Sequence, residues 1–112
     1  MQRLFVYGTL APGRSNELVL ADVPGTWEAG TVRGDLLARG WGAASGFPAL
    51  VLRDDADPVT GFVLTSASLD AEWPRLDEFE GEGYERVLAS VTLSSGPVVE
   101  AWLYVGRRQV AD

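Results

Sequence analysis

Short apolar runs, punctuated by glycine and proline turns, occupy most of this chain, and only one stretch holds a helical period for long. Leu4–Tyr7 reads as a buried first strand, closed by Gly8 and Pro12-Gly13. Trp27–Arg39 alternates loosely as a second strand. Pro48–Arg53 and Val59–Thr65 flank the acidic turn Asp54-Asp55-Ala56-Asp57-Pro58, which predicts a hairpin. Arg86–Leu93 and Val98–Val105, joined by Ser94-Ser95-Gly96-Pro97, predict another. Ser15 or Asn16 can cap a short helix through Leu20. Five or six short strands, one longer helix and one short helix define an α+β fold. So many short strands in 112 residues would leave long exposed edges in an open sheet; curling into a small, mostly antiparallel β-barrel removes them. No linker, repeat or low-complexity segment divides the chain. The expected organisation is one domain, residues 1–112, just large enough for a single core.

The longer helix is expected over 69–80, capped by Ser68 or Asp70 and stopped by Gly81 and Gly83. Pro74 lies deep enough to distort its start. Measured from Leu69 at about 100° per residue, Trp73, Leu76 and Phe79 fall near roughly 40°, −20° and −80°. Glu80 falls near roughly 20°, inside that apolar stripe, whereas Glu78 points away. A carboxylate on a core-facing side costs free energy unless it is paired or used. Two readings of Glu80 stand side by side. In one it ends the helix in a salt bridge with Arg86 or Arg75. In the other, burial and the negative end of the helix macrodipole raise its proton affinity and poise it for proton exchange.

The missing residue types narrow the chemistry. The chain has no His, no Cys and no Lys, and all nine basic residues are Arg. Thiol nucleophiles, imidazole bases, Schiff-base lysines and Cys/His zinc sites are excluded. Arginine stays protonated, so proton transfer falls to Asp, Glu or Tyr. A net charge of −7 argues against nucleic acid or an anionic membrane as the main partner. The N-terminus reads as a strand rather than a signal peptide, and no apolar run approaches the roughly 20 residues of a membrane span. The absence of cysteine fits a cytoplasmic protein.

A second candidate lies in Phe5-Val6-Tyr7-Gly8-Thr9-Leu10. A strand ending in Gly-Thr before a turn can leave backbone N–H groups free for a carboxylate or an oxyanion. Gly8 permits close approach and Thr9 adds a hydroxyl. The same pattern also describes any first strand followed by a glycine turn. Gly40-Trp41-Gly42 starts like a dinucleotide fingerprint, but Pro48 forbids the helix that must follow. Asp54, Asp55 and Asp57 are expected to form a solvated turn.

Phe5-Val6-Tyr7-Gly8-Thr9-Leu10, Gly34-Asp35-Leu36-Leu37, Gly46-Phe47-Pro48-Ala49-Leu50, Gly61, Leu76-Asp77-Glu78-Phe79-Glu80-Gly81 with Tyr84 and Arg86, and Ala101-Trp102-Leu103-Tyr104 occur in an order that resembles the γ-glutamylcyclotransferase family. The nearer likeness is to its short AIG2-like branch, which includes γ-glutamylamine cyclotransferases. The resemblance implies a small β-barrel flanked by helices, with Glu80 at the position of the family's catalytic glutamate. It also implies that Tyr7, Gly8, Thr9 and Leu10 hold the γ-glutamyl group of a small-molecule substrate, with Tyr84 beside them. The reaction implied releases 5-oxoproline and a free amine or amino acid, with no metal and no cofactor. Phe62 and Leu64 stand where relatives often carry Glu and Tyr, a departure that bears on substrate choice. A binding domain without turnover, and an amide-cleaving or acyl-transfer enzyme acting on another γ-glutamyl metabolite, are the alternatives on the same scaffold.

Overall fold

The computed structural model describes residues 2–7, 18–37, 49–80 and 84–106. Its elements run β1 (Gln2–Val6), α1 (Leu18–Ala21), β2 (Thr26–Leu37), β3 (Ala49–Leu52), β4 (Pro58–Ser66), α2 (Leu69–Glu80), β5 (Tyr84–Leu93) and β6 (Val98–Gly106). The expected strands and helices are all present, with ends displaced by a few residues. The Ser15 and Asn16 cap candidates and the Gly40–Gly46 loop lie outside the described residues.

Strand β1 is the spine. It runs antiparallel to β4, from Gln2 opposite Ser66 to Val6 opposite Phe62, and parallel to β6 at Leu4 opposite Trp102. Beyond β4 comes β2, antiparallel from Thr26–Thr65 to Arg33–Pro58. Strands β5 and β6 form the long C-terminal hairpin, and β2 meets β5 at Gly30–Leu93 and Thr31–Thr92. That last pairing closes five strands into a mixed barrel. The hairpin turn is closed by the Leu93 amide on the Pro97 carbonyl at 2.9 Å. It places Gly96 at φ +116°, a conformation that glycine adopts without steric penalty.

The expected hairpin between β3 and β4 does not form. Both strands pair with β2, on opposite edges. The Arg33 carbonyl accepts from the Arg53 amide at 3.2 Å, while the Gly34 amide donates to the Asp57 carbonyl at 3.3 Å. Those two groups belong to one trans peptide and point in opposite directions. Residues 53–57 therefore carry the chain from one edge of β2 to the other. Twelve residues make β2 long enough to pair β4 along its first part and β3 from Gly34 to Leu37.

Alternation sorts the side chains into two layers. Phe5, Val32, Leu50, Val63, Val91, Ala101 and Leu103 fill the barrel. Leu4, Val6, Leu64, Tyr84 and Tyr104 turn outward to meet Leu69, Trp73 and Leu76 of α2. Strand β1 is thus covered on both faces over Leu4–Val6, which is why those three residues are all apolar. The stripe expected of the helix is the one observed. Leu69 and Leu76 are fully buried and Trp73 nearly so, Phe79 packs at the margin of the same cluster, and Glu78 is exposed.

The start of α2 corrects one expectation. Among the described residues neither the Ser68 hydroxyl nor the Asp70 carboxylate caps the first turn. Ser66, the buried last residue of β4, accepts the Ser68 amide on its Oγ at 3.0 Å. The Ser68 carbonyl then accepts from the Ala71 amide at 3.2 Å, a three-residue reach that tightens the first turn. The helix continues through Pro74, whose ring is exposed.

Candidate active site at the end of the long helix

The last turn of α2 is built against its own macrodipole. It carries Asp77, Glu78 and Glu80 and no basic residue, where the negative helix end disfavours anions. Asp77 is held from outside the helix. Its Oδ1 accepts from Arg86 Nε at 2.9 Å and from the Tyr104 hydroxyl at 2.7 Å, and its Oδ2 accepts from Arg86 Nη2 at 3.3 Å. The Arg86 hydrogen bond holds the Asp77 carboxyl below the ordinary value of 3.8; desolvation opposes this and the Tyr104 hydroxyl assists it. The same contact with Asp77 raises the proton affinity of Arg86. The guanidinium lies 4.4 Å from the Trp73 ring centre and 4.9 Å from that of Trp102, an arrangement that favours a planar cation over aromatic faces. One carboxylate thereby ties α2 to β5 and β6.

A second tether starts at the end of β1. Tyr7, the residue after that strand, stacks on Phe5 with ring centres 6.2 Å apart. Its hydroxyl donates to the backbone carbonyl of Tyr104. Close packing of β1 on β4 at this point requires Gly61. A Cβ there would lie 2.4 Å from the Val6 carbonyl oxygen and 2.6 Å from Phe5 Cζ.

The register brings these pieces to one rim of the barrel. From Leu4 opposite Trp102, three residues of parallel advance set Tyr7 level with Val105, which faces Glu85. Tyr84 opens β5 opposite Gly106 and is buried beneath the helix. Glu80 closes α2, and four residues of chain span at most about 14 Å, so its backbone stays close to Tyr84. Among the site residues expected from sequence, the register sets Tyr7 and Tyr84 at this rim, and Glu80 ends the helix whose last turn is bound to β5 and β6 through Asp77. The Glu80 side chain and Gly8, Thr9 and Leu10 lie outside what is described. Of the two arginines offered as salt-bridge partners for Glu80, Arg86 is engaged by Asp77 and Arg75 by Glu72, the latter at 2.7 Å.

Tyr104 was not legible as a site residue. Its motif, Ala101-Trp102-Leu103-Tyr104, reads as a closing strand, and only the register shows that Tyr104 touches both Tyr7 and Asp77. A separate cleft of about 640 Å³ opens where β2 and β5 diverge, lined by Thr31, Val32, Arg33, Leu52, Leu88 and Ser90 among others. It contains none of the rim residues. Arg33 there donates to the Ala56 carbonyl at 3.0 Å. Among the described residues no cluster of His, Cys, Asp and Glu could hold a metal ion, and no helix is long and apolar enough to cross a membrane.

A closed five-stranded mixed barrel with a helix laid on its outer face is the γ-glutamylcyclotransferase-like architecture. The model of the family described as Gamma-glutamyl cyclotransferase, AIG2-like, matches residues 4–112, and the chain belongs to that family. Several solved structures are similar. YkqA from Bacillus subtilis superposes with a TM-score of 0.71 at 28% identity, over 94% of this chain and 35% of its own. A protein from Arabidopsis thaliana gives 0.73 at 26% identity, over 94% and 61%. A mouse AIG2-like protein gives 0.68 at 25% identity, over 94% and 76%. The chain thus spans about a third of the length of YkqA and three-fifths of the Arabidopsis protein. No curated protein matches the sequence.

Proposed function

We propose that this chain is a γ-glutamyl(amine) cyclotransferase, releasing 5-oxoproline and a free amine or amino acid from a small γ-glutamyl compound. The observation that carries the reading is the family match over residues 4–112, with Glu80 at the end of α2. That helix end is tethered to the rim where β1 gives way to Gly8, Thr9 and Leu10. Glu80 is assigned as general acid and base. Tyr7, Gly8, Thr9 and Leu10, with Tyr84, are assigned to holding the γ-glutamyl group.

In the reaction the glutamyl α-amine loses a proton to the Glu80 carboxylate and attacks its own γ-carbonyl carbon. The carbonyl electrons move onto oxygen, where backbone N–H groups of residues 8–10 can stabilise them. The bond from the γ-carbon to the departing nitrogen then breaks as Glu80 returns the proton to that nitrogen. One carboxyl of suitable pKa performs both transfers in sequence. No water is consumed. Ring closure is intramolecular, so holding the glutamyl chain folded supplies much of the acceleration.

The reading is tested by incubating the protein with a panel of γ-glutamyl amines and γ-glutamyl peptides and measuring 5-oxoproline. Glu80→Gln should fold and lose at least ~10²-fold in kcat. Binding of a panel member with no 5-oxoproline formed would favour the scaffold's use as a binding domain.

A further inference from the structure

We propose that Tyr104 is a positioning residue, whose hydroxyl sets the last turn of α2, and Glu80 with it, relative to Tyr7 at the end of β1. The inference rests on Glu80 being the acid and base of the reaction.

Two hydrogen bonds meet at this one residue. Its backbone carbonyl accepts from Tyr7, the residue immediately before the proposed γ-glutamyl-binding segment. Its side-chain hydroxyl donates to Asp77 at 2.7 Å, three residues before Glu80 and so one helical turn from it. β6 thereby fixes the separation of two parts, Tyr7 and the last turn of α2, that are far apart in the sequence. Packing does not explain the hydroxyl. Tyr104 is buried to 5% exposure, and a phenylalanine ring would fill the same space in the cluster that includes Leu4, Val6 and Leu76.

Net stability explains it poorly too. The Asp77 side chain is 45% exposed, so water can solvate its carboxylate without the Tyr104 hydroxyl. Arg86 already neutralises Asp77 in a fork. What the hydroxyl adds is direction. It aims a carboxylate already paired to β5 at a fixed point on β6, in a turn that the macrodipole would otherwise loosen. Local preference is set aside in this turn, and such departures are expected at working sites.

The experiment compares steady-state kinetics of wild type, Tyr104→Phe, Asp77→Ala, the double variant and Ser66→Ala on a γ-glutamyl substrate turned over by wild type. Ser66→Ala weakens the far end of the same helix and controls for stability. A displacement of about 1 Å in a reacting group can cost ~10²-fold. Tyr104→Phe should therefore lose ~10- to 100-fold in kcat with KM changed by less than about threefold. Ser66→Ala should keep wild-type kcat below its melting range. The double variant should be no slower than Asp77→Ala, because that substitution already removes the acceptor of the Tyr104 hydroxyl.

If Tyr104→Phe does not fold, the same split in Asp77→Ala carries the test. A kcat within twofold of wild type in folded Tyr104→Phe or, failing that, in Asp77→Ala overturns the proposal. So does a loss that appears in KM alone, or an equal kcat loss in Ser66→Ala. Failure of the underlying reading looks different: wild type releases no 5-oxoproline, or Glu80→Gln is as active as wild type.

Discussion

Asp77 and Glu80 stand one turn apart in the same acidic run. The helical period alone separates Glu80 from Glu78, and the exposure of Glu78 with the burial of Leu76 agrees with that spacing. The partner of Asp77 was not readable, because Arg86 arrives only after the chain has turned back from α2 into β5. The pairing has a pH signature. The folded-state pKa of Asp77 lies below its ordinary 3.8, first through the Arg86 hydrogen bond. Its contribution to stability is therefore complete above the ordinary value and disappears as pH falls through the lower folded value. Asp77→Asn should be less stable than wild type at pH 7, and the gap should narrow as pH drops below about 4. Urea midpoints between neutrality and about pH 2.5 measure this; a constant gap across that range would contradict it. Arg86→Lys should also destabilise, because an ammonium cannot repeat the fork on Asp77 while lying between Trp73 and Trp102.

Elements were legible where their signals are local. Strand and helix positions follow from period and punctuation, and α2 runs over Leu69–Glu80 as its apolar spacing requires. The failures share a physical cause. The acidic turn after β3 says that the chain changes direction, but which edge of β2 each strand takes depends on the length of β2 and on its pairing with β4 and β5. The cap of α2 was sought beside the helix, whereas the hydroxyl belongs to Ser66 in the preceding strand. Ser66→Ala removes the acceptor of the Ser68 amide and should destabilise by about 1 kcal/mol, read by chemical denaturation. Gly61→Ala drives a methyl group to 2.4 Å from the Val6 carbonyl oxygen, so β1 and β4 must part. A loss of about 1–3 kcal/mol or more is expected, and turnover should fall with it because β1 leads into Tyr7. Wild-type stability in the Gly61→Ala variant would show that β1 and β4 do not pack as described.

At the scale of the molecule, barrel closure was inferred from an economy of edges and occurs through the β2–β5 pairing. Closure explains why distant segments can form one site. β1, β5, β6 and the end of α2 meet at one rim because parallel β1–β6 pairing and the β5–β6 hairpin share a register. No local pattern encodes that meeting, and the ordered family motifs were the only sequence signal for it. The central claim, turnover of a γ-glutamyl compound by Glu80, is tested most directly by 5-oxoproline release from a γ-glutamyl panel by wild type and Glu80→Gln, each shown to be folded. The account predicts release by wild type on at least one member and a loss of at least ~10²-fold in the variant. No release by wild type on any member, or undiminished release by Glu80→Gln, would contradict it.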